Sequence, residues 1–112
     1  MFLRLLWDNY PSYGFRGIKI SNNLIVTFHA HGEIENDKLT LNEIINSMVR
    51  SEIIECYQTS KPFPSCLVLS FSDKNEPIHS VWGYDEIKSK AVLITVYRPD
   101  PEKWVEYKKR NK

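Results

Sequence analysis

Three histidines, His29, His31 and His79, are the side chains of this sequence best suited to move protons near neutral pH or to ligate a metal. His29 and His31 share the stretch "TFHAHGE" at 27–33, and His79 stands in "PIHSVW". Histidine-x-histidine can be half of a metal site, part of an acid–base pair, or the seam between a strand and a helix. A zinc site would take all three imidazoles and leave a fourth position for water. It requires extended chain through His31, because helical winding sets the two residues about 200° apart. Cys56 and Cys66 lack a zinc spacing, and the acids of "GYDE" lack that of a calcium loop. The sequence also lacks a glycine-rich phosphate loop, a readable Ser-His-Asp arrangement and a paired-carboxylate signature, so no cofactor is expected.

The elements that position these residues fit one domain of 112 residues. A chain of that size buries about two-thirds of its unfolded surface, enough for a core without staples. The composition, 42% hydrophobic and 26% charged, is that of a globular protein. No apolar run reaches membrane length. The opening "MFLRLLW" is too short for a signal peptide and lacks a cleavage site, so a cytoplasmic protein with reduced thiols is expected. A net charge of +1 does not mark a nucleic-acid binder. The tail "KKRNK" nevertheless gathers Lys108, Lys109, Arg110 and Lys112, either as a phosphate contact or as a solvated end.

Residues 1–17 are aromatic-rich and broken by Pro11, Gly14 and Gly17. "IKISNNLIVTF" reads as a strand or small hairpin ending at Phe28. Thr40 and Glu43 form a capping box, and Leu41, Ile44, Ile45, Met48 and Val49 repeat as one helical face ending near Arg50 or Ser51. The period then becomes two. "IIECYQ", "SCLVLSFS", "IHSVWGYD" and "AVLITVYR" are strand-length, and their short connectors predict an antiparallel meander. Cys56 and Cys66 fall on consecutive strands as near neighbours. Alternation puts Val92, Ile94 and Val96 on one face with Leu93, Thr95 and Tyr97 on the other, and sets His79 with Val81 opposite Ile78 and Trp82. "PDPEKWVEYKKR" predicts a final helix from Asp100 with Pro101 at its first position. Helices first and strands after make an α+β class, with N-terminal helices packed on one face of the sheet.

The run "FHAHGEIENDKLTLNEI", then "SEIIECY", "PFPSCLVLSF", "PIHSVWGYD" and "LITVYRPDPEKW", resembles a small prokaryotic family of domains of unknown function. The match covers most of the chain, about Thr27 to Trp104. It divides the single domain into a variable extension at 1–23, a family core at 24–107 and a basic tail at 108–112. The resemblance implies an α+β fold of the RelE/ParE-like toxin superfamily, whose members include ribonucleases paired with an antitoxin and toxins that do not cut RNA. Carried over position by position, the pattern falls on His29 with Ala30, Tyr57, His79, and Tyr97-Arg98-Pro99. Members commonly carry arginines in the first helix. Here Glu33 and Asp37 with Lys38 hold those places, which weakens an RNA-binding surface on that helix. The same pattern puts a helix through His31 and so argues against zinc.

Metal-free RNA cleavage needs a base, an acid and a cation for the developing charge. Histidine suits the first two roles, arginine the third, and tyrosine positions a group or stacks on a base. His29 and His79 are therefore the acid–base candidates, Arg98 the phosphate ligand and Tyr57 the positioning group, with Thr95 and Tyr97 as secondary candidates. Each also has a plain structural role to fill. His29 can cap a helix, His79 can bond across the sheet to Tyr57 or Thr95, Tyr97 can sit in the core, and Arg98 can pair with Asp100. The expected function is a toxin component of a toxin–antitoxin-like system with metal-independent endoribonuclease activity. The alternative is a non-catalytic interaction module that keeps the fold. An antitoxin or other protein and RNA are the expected partners, and no membrane. The aromatics of residues 1–17 suit such a protein contact, or packing on their own core.

Overall fold

A computed structural model describes residues 24–85 and 87–111. The sequence expectations for residues 1–23 lie outside the described residues. In chain order the elements are β1 (Leu24–Val26), α1 (Phe28–Asn36), α2 (Leu41–Ser47) with a 3-10 turn at Met48–Arg50, and β2 (Ser51–Tyr57). Then follow β3 (Ser65–Phe71), β4 (Pro77–Asp85), β5 (Lys90–Tyr97), β6 (Trp104–Val105) and β7 (Lys109–Arg110). The fold is mixed α+β: a five-stranded sheet in the order β1-β5-β4-β3-β2, and a separate two-stranded β6-β7 sheet.

The meander β2-β3-β4-β5 is antiparallel throughout, as its short connectors require. β1 breaks the antiparallel expectation, because it pairs parallel with β5 through Leu24↔Ala91 to Val26↔Leu93. The strand stops at Val26, not Phe28, because Thr27 is the N-cap of α1 and accepts from the Ala30 amide at 3.1 Å. One residue thus ends the ladder and starts the helix. The capping box at Thr40 forms as read, with Glu43 N donating to Thr40 Oγ1 at 3.1 Å and Thr40 N to Glu43 Oε1 at 3.2 Å. The helical face differs from the expected one in Val49, which is exposed.

One core joins the helices to the sheet. Ala30, Leu39, Ile44, Ile45 and Met48 meet Cys66, Val68, Ile78, Trp82, Ala91, Leu93 and Val96. Leu93 and Val96 both lie in this cluster although strict alternation separates them. A bulge explains the change: Val81 pairs with Thr95 but Trp82 pairs with Leu93, so Ile94 is the extra residue. The buried hydroxyls of Ser47 and Ser70 bond to each other at 2.8 Å where the second helix meets β3.

The final helix expected from Asp100 does not form. Asp100 accepts from the Glu102 amide at 2.9 Å in a tight turn, and the chain enters the hairpin β6-β7. Glu106 and Tyr107 adopt φ of 53° and 62°, and Lys108 N donates to Val105 O at 3.0 Å. Two consecutive left-handed residues reverse the chain between strands and cannot sit inside a right-handed helix. Lys108, Lys109 and Arg110 of the basic tail are therefore parts of a folded hairpin.

Candidate functional site

The pleat of the sheet collects polar groups on the face that does not carry Cys66, Val68 and Trp82. Register places Leu69, His79 and Tyr97 in one row, and Glu55, Leu67, Val81 and Thr95 in the next. Tyr57, two residues beyond Glu55 on β2, points the same way. The C-terminal hairpin lies over this face: the Trp104 ring meets the His79 ring edge-on at 4.5 Å between centroids.

His79 is fully buried and both ring nitrogens are engaged. Nε2 lies 2.6 Å from the carbonyl of Tyr107, which can only accept, so Nε2 carries the proton and donates. In the neutral ring Nδ1 then accepts from the Tyr97 hydroxyl at 3.1 Å. Burial holds the imidazole below its ordinary titration range, the Tyr107 carbonyl opposing it and Glu55 adding a smaller opposing pull. The bond anticipated across the sheet to Tyr57 or Thr95 is thus made to Tyr97 and to the hairpin backbone.

Glu55 is the hub beside it. Arg110 donates through Nε to Oε2 at 2.8 Å and through its terminal nitrogen to Oε1 at 2.9 Å, a two-pronged pair. The Tyr57 hydroxyl donates to Oε1 of the same carboxylate. The guanidinium hydrogen bond, more than anything else, holds Glu55 below the usual carboxylate range. Burial and the bonded carboxylate push the Tyr57 phenol up to about 12. Arg110 also stacks over Trp104, its partner across the hairpin, 4.8 Å from the ring centroid, so one cation contacts both the hairpin's own aromatic and the Glu55 carboxylate on β2. Lys108 adds a contact to Glu52 at 3.0 Å.

The remaining candidates gather elsewhere, along the seam between α1 and β5. His29 is 71% exposed, with Nε2 3.2 Å from Glu33 Oε1 one helical turn on. Glu33 Oε1 also accepts from the Thr95 hydroxyl and from Val96 N at 3.0 Å. A further turn on, Asp37 accepts from Arg98 N at 2.9 Å, and its carbonyl accepts from Arg98 Nε at 3.0 Å. Arg98 also approaches Glu76 at 3.8 Å, in place of the expected Asp100. Glu33 and Asp37 complete the ladder of β5 beyond the point where β1 stops.

Two groups thus stand where the sequence suggested one. Tyr57, Tyr97 and His79 converge with Glu55 and Arg110, whereas His29, Thr95 and Arg98 line the α1 seam. Sequence reading missed Glu55 and Arg110. Glu55 shares a face with Tyr57 by period two, but Arg110 comes from a hairpin that has no glycine to announce its turn. His31 is exposed on α1 and joins neither group.

Among the described residues no set of three or more His, Cys, Asp or Glu side chains is grouped to hold a metal, and no helix is long and apolar enough to cross a membrane. No curated protein and no solved structure matches the chain. A family model does match, over residues 26–98, which include β1's end, both helices and the whole meander. The chain therefore belongs to the family described as a domain of unknown function, DUF4258.

Proposed function

We propose that this domain is a RelE/ParE-like toxin component that cleaves RNA without a metal, using the sheet face beneath the C-terminal hairpin. The observation that carries the reading is the convergence of Glu55, Tyr57 and Arg110 beside His79, which brings carboxylate, phenol, guanidinium and imidazole together. Glu55, ionised at neutral pH, takes the proton of the ribose 2′-hydroxyl as that oxygen attacks the phosphorus. Arg110 faces the charge gathering on the phosphate, and Lys108 and Lys109 beside it add positive field. Tyr57, held in its protonated form, donates to the departing 5′-oxygen. The products are a 2′,3′-cyclic phosphate and a 5′-hydroxyl. His79, neutral and bonded on both sides, positions Tyr97 and the hairpin.

The test is purified protein with RNA in the presence of a chelator, the ends being identified chemically. Wild type should give cyclic phosphate ends, and Glu55→Gln and Arg110→Ala should each lose the activity. An inactive wild type, or full activity in Glu55→Gln, rejects the reading. A second reading, a non-catalytic interaction module, is favoured by the same contacts: Arg110 neutralises Glu55, and both nitrogens of His79 are taken. Growth arrest on expression that persists in Glu55→Gln, with intact RNA, would select it.

A further inference from the structure

Cys56 and Cys66 are direct partners across the β2-β3 ladder, both free thiols, with Cys56 exposed and Cys66 buried. Partners on antiparallel strands stand about 4.5 or 5.5 Å apart between Cα atoms, according to their place in the ladder. Both distances lie inside the span a disulfide bridges, about 4.4–6.8 Å. Directly opposed residues also project from the same face, so the two sulfurs are neighbours with no backbone between them. We propose that Cys56 and Cys66 form a two-electron thiol–disulfide site that responds to hydroperoxides.

The division of labour follows from burial. Cys56 lies on the outer strand of the sheet, where dissolved peroxide reaches its sulfur. Its thiol takes one oxygen to become a sulfenic acid, and the peroxide is reduced to water or an alcohol. The Cys66 thiol then attacks that sulfur: the S–S bond forms, the S–O bond breaks, and the hydroxyl leaves as water with the Cys66 proton. Burial keeps dissolved peroxide from the Cys66 sulfur and leaves the first step to Cys56. The same burial, with a smaller push from Cys56, raises the Cys66 thiol to about 12, so its proton leaves only as the hydroxyl departs. Without a neighbouring thiol, an exposed sulfenic acid advances to irreversible oxidation. The bond would also fix β2 to β3 between Glu55 and Tyr57, the residues on either side of Cys56.

The experiment treats the full chain with hydrogen peroxide and maps the cysteines by mass spectrometry, with and without a dithiol reductant. The expected product is an intramolecular Cys56–Cys66 link, lacking two hydrogens and restored by the reductant. Cys56→Ser should leave Cys66 reduced at the same peroxide dose. Cys66→Ala should pass through a Cys56 sulfenic acid that dimedone traps and, without dimedone, go on to sulfinic acid. Sulfinic acid at Cys56 with Cys66 still free overturns the proposal, as does a Cys56–Cys56 link between two chains. So does survival of both thiols at a dose that oxidises the unfolded chain. None of these outcomes depends on ribonuclease activity.

Discussion

Arg110 grips Glu55 with two hydrogen bonds across 55 residues of sequence, and through that grip the end of the chain is fastened to the outer strand of the sheet. The pair is half open to water: 61% of the Arg110 side chain is exposed and 23% of that of Glu55. Its contribution to stability is accordingly modest, about 1 kcal/mol. Arg110→Ala should lower the unfolding free energy by that order and raise the accessibility of Trp104, read by fluorescence quenching. An unchanged Trp104 would mean that the hairpin is held by its aromatic contacts alone.

The same pair sets an acid limb of stability. Glu55 is held below its ordinary value of 4.5, chiefly by Arg110. The unfolded chain therefore takes the proton first as pH falls. The contribution is whole above the ordinary value and disappears as pH drops through the folded one. Denaturant melts of wild type and Glu55→Gln should converge in acid, and parallel curves at every pH would contradict this.

His79 acts in a higher window. Its folded titration lies below the ordinary 6.5 because the ring is buried. Between the two values the unfolded chain binds a proton that the folded chain refuses, so stability falls as pH is lowered through 6.5. It levels off below the folded value and is flat above 6.5. His79→Gln should be less stable at neutral pH, through loss of its buried bonds, and should lack this slope. Retention of the full slope would rule out His79 as its source.

Glu33 offers a test of the α1 seam. Glu33→Ala leaves the Val96 amide without its acceptor and removes the partner of the Thr95 hydroxyl. The expected loss is about 1–3 kcal/mol, with faster hydrogen exchange at Val96. Glu33→Gln keeps a carbonyl oxygen and should lose less. Equal exchange rates in wild type and Glu33→Ala would show that water replaces the carboxylate without cost.

Gly83 tests the covered face. A Cβ there would come within 2.7 Å of the Phe63 ring and 3.2 Å of Ile94. Gly83→Ala should cost about 1–3 kcal/mol through displacement of the ring. Pairing it with Phe63→Leu, which clears the ring edge, should recover part of the loss, and strict additivity of the two would reject the contact.

Local rules were legible in the sequence where local chemistry decides. Thr40 and Glu43 sit three apart and cap each other, and the period-two segments became strands, although β3 is buried on both faces. Choices made across long distances were not legible. Nothing near Ile94 signals the bulge, since it arises in the register with β4. Pro101 resembles a helix start, yet Glu106 and Tyr107 take left-handed conformations without glycine or asparagine to mark them. Glu33 and Asp37 looked like lost cations on an RNA surface, but they are acceptors for backbone amides more than sixty residues away. Arg110 read as tail because its carboxylate partner lies on β2.

That seam also bears on how the chain folds. α1 is only nine residues long, below the length at which an isolated helix is stable in water. Its two inward carboxylates find their partners at sequence separations of 61 to 63 residues. Consolidation of α1 is therefore tied to completion of the last strand of the meander, a high-contact-order closure that slows folding. During synthesis α1 leaves the ribosome long before β5 exists, so a helix made early is among the last elements to be secured.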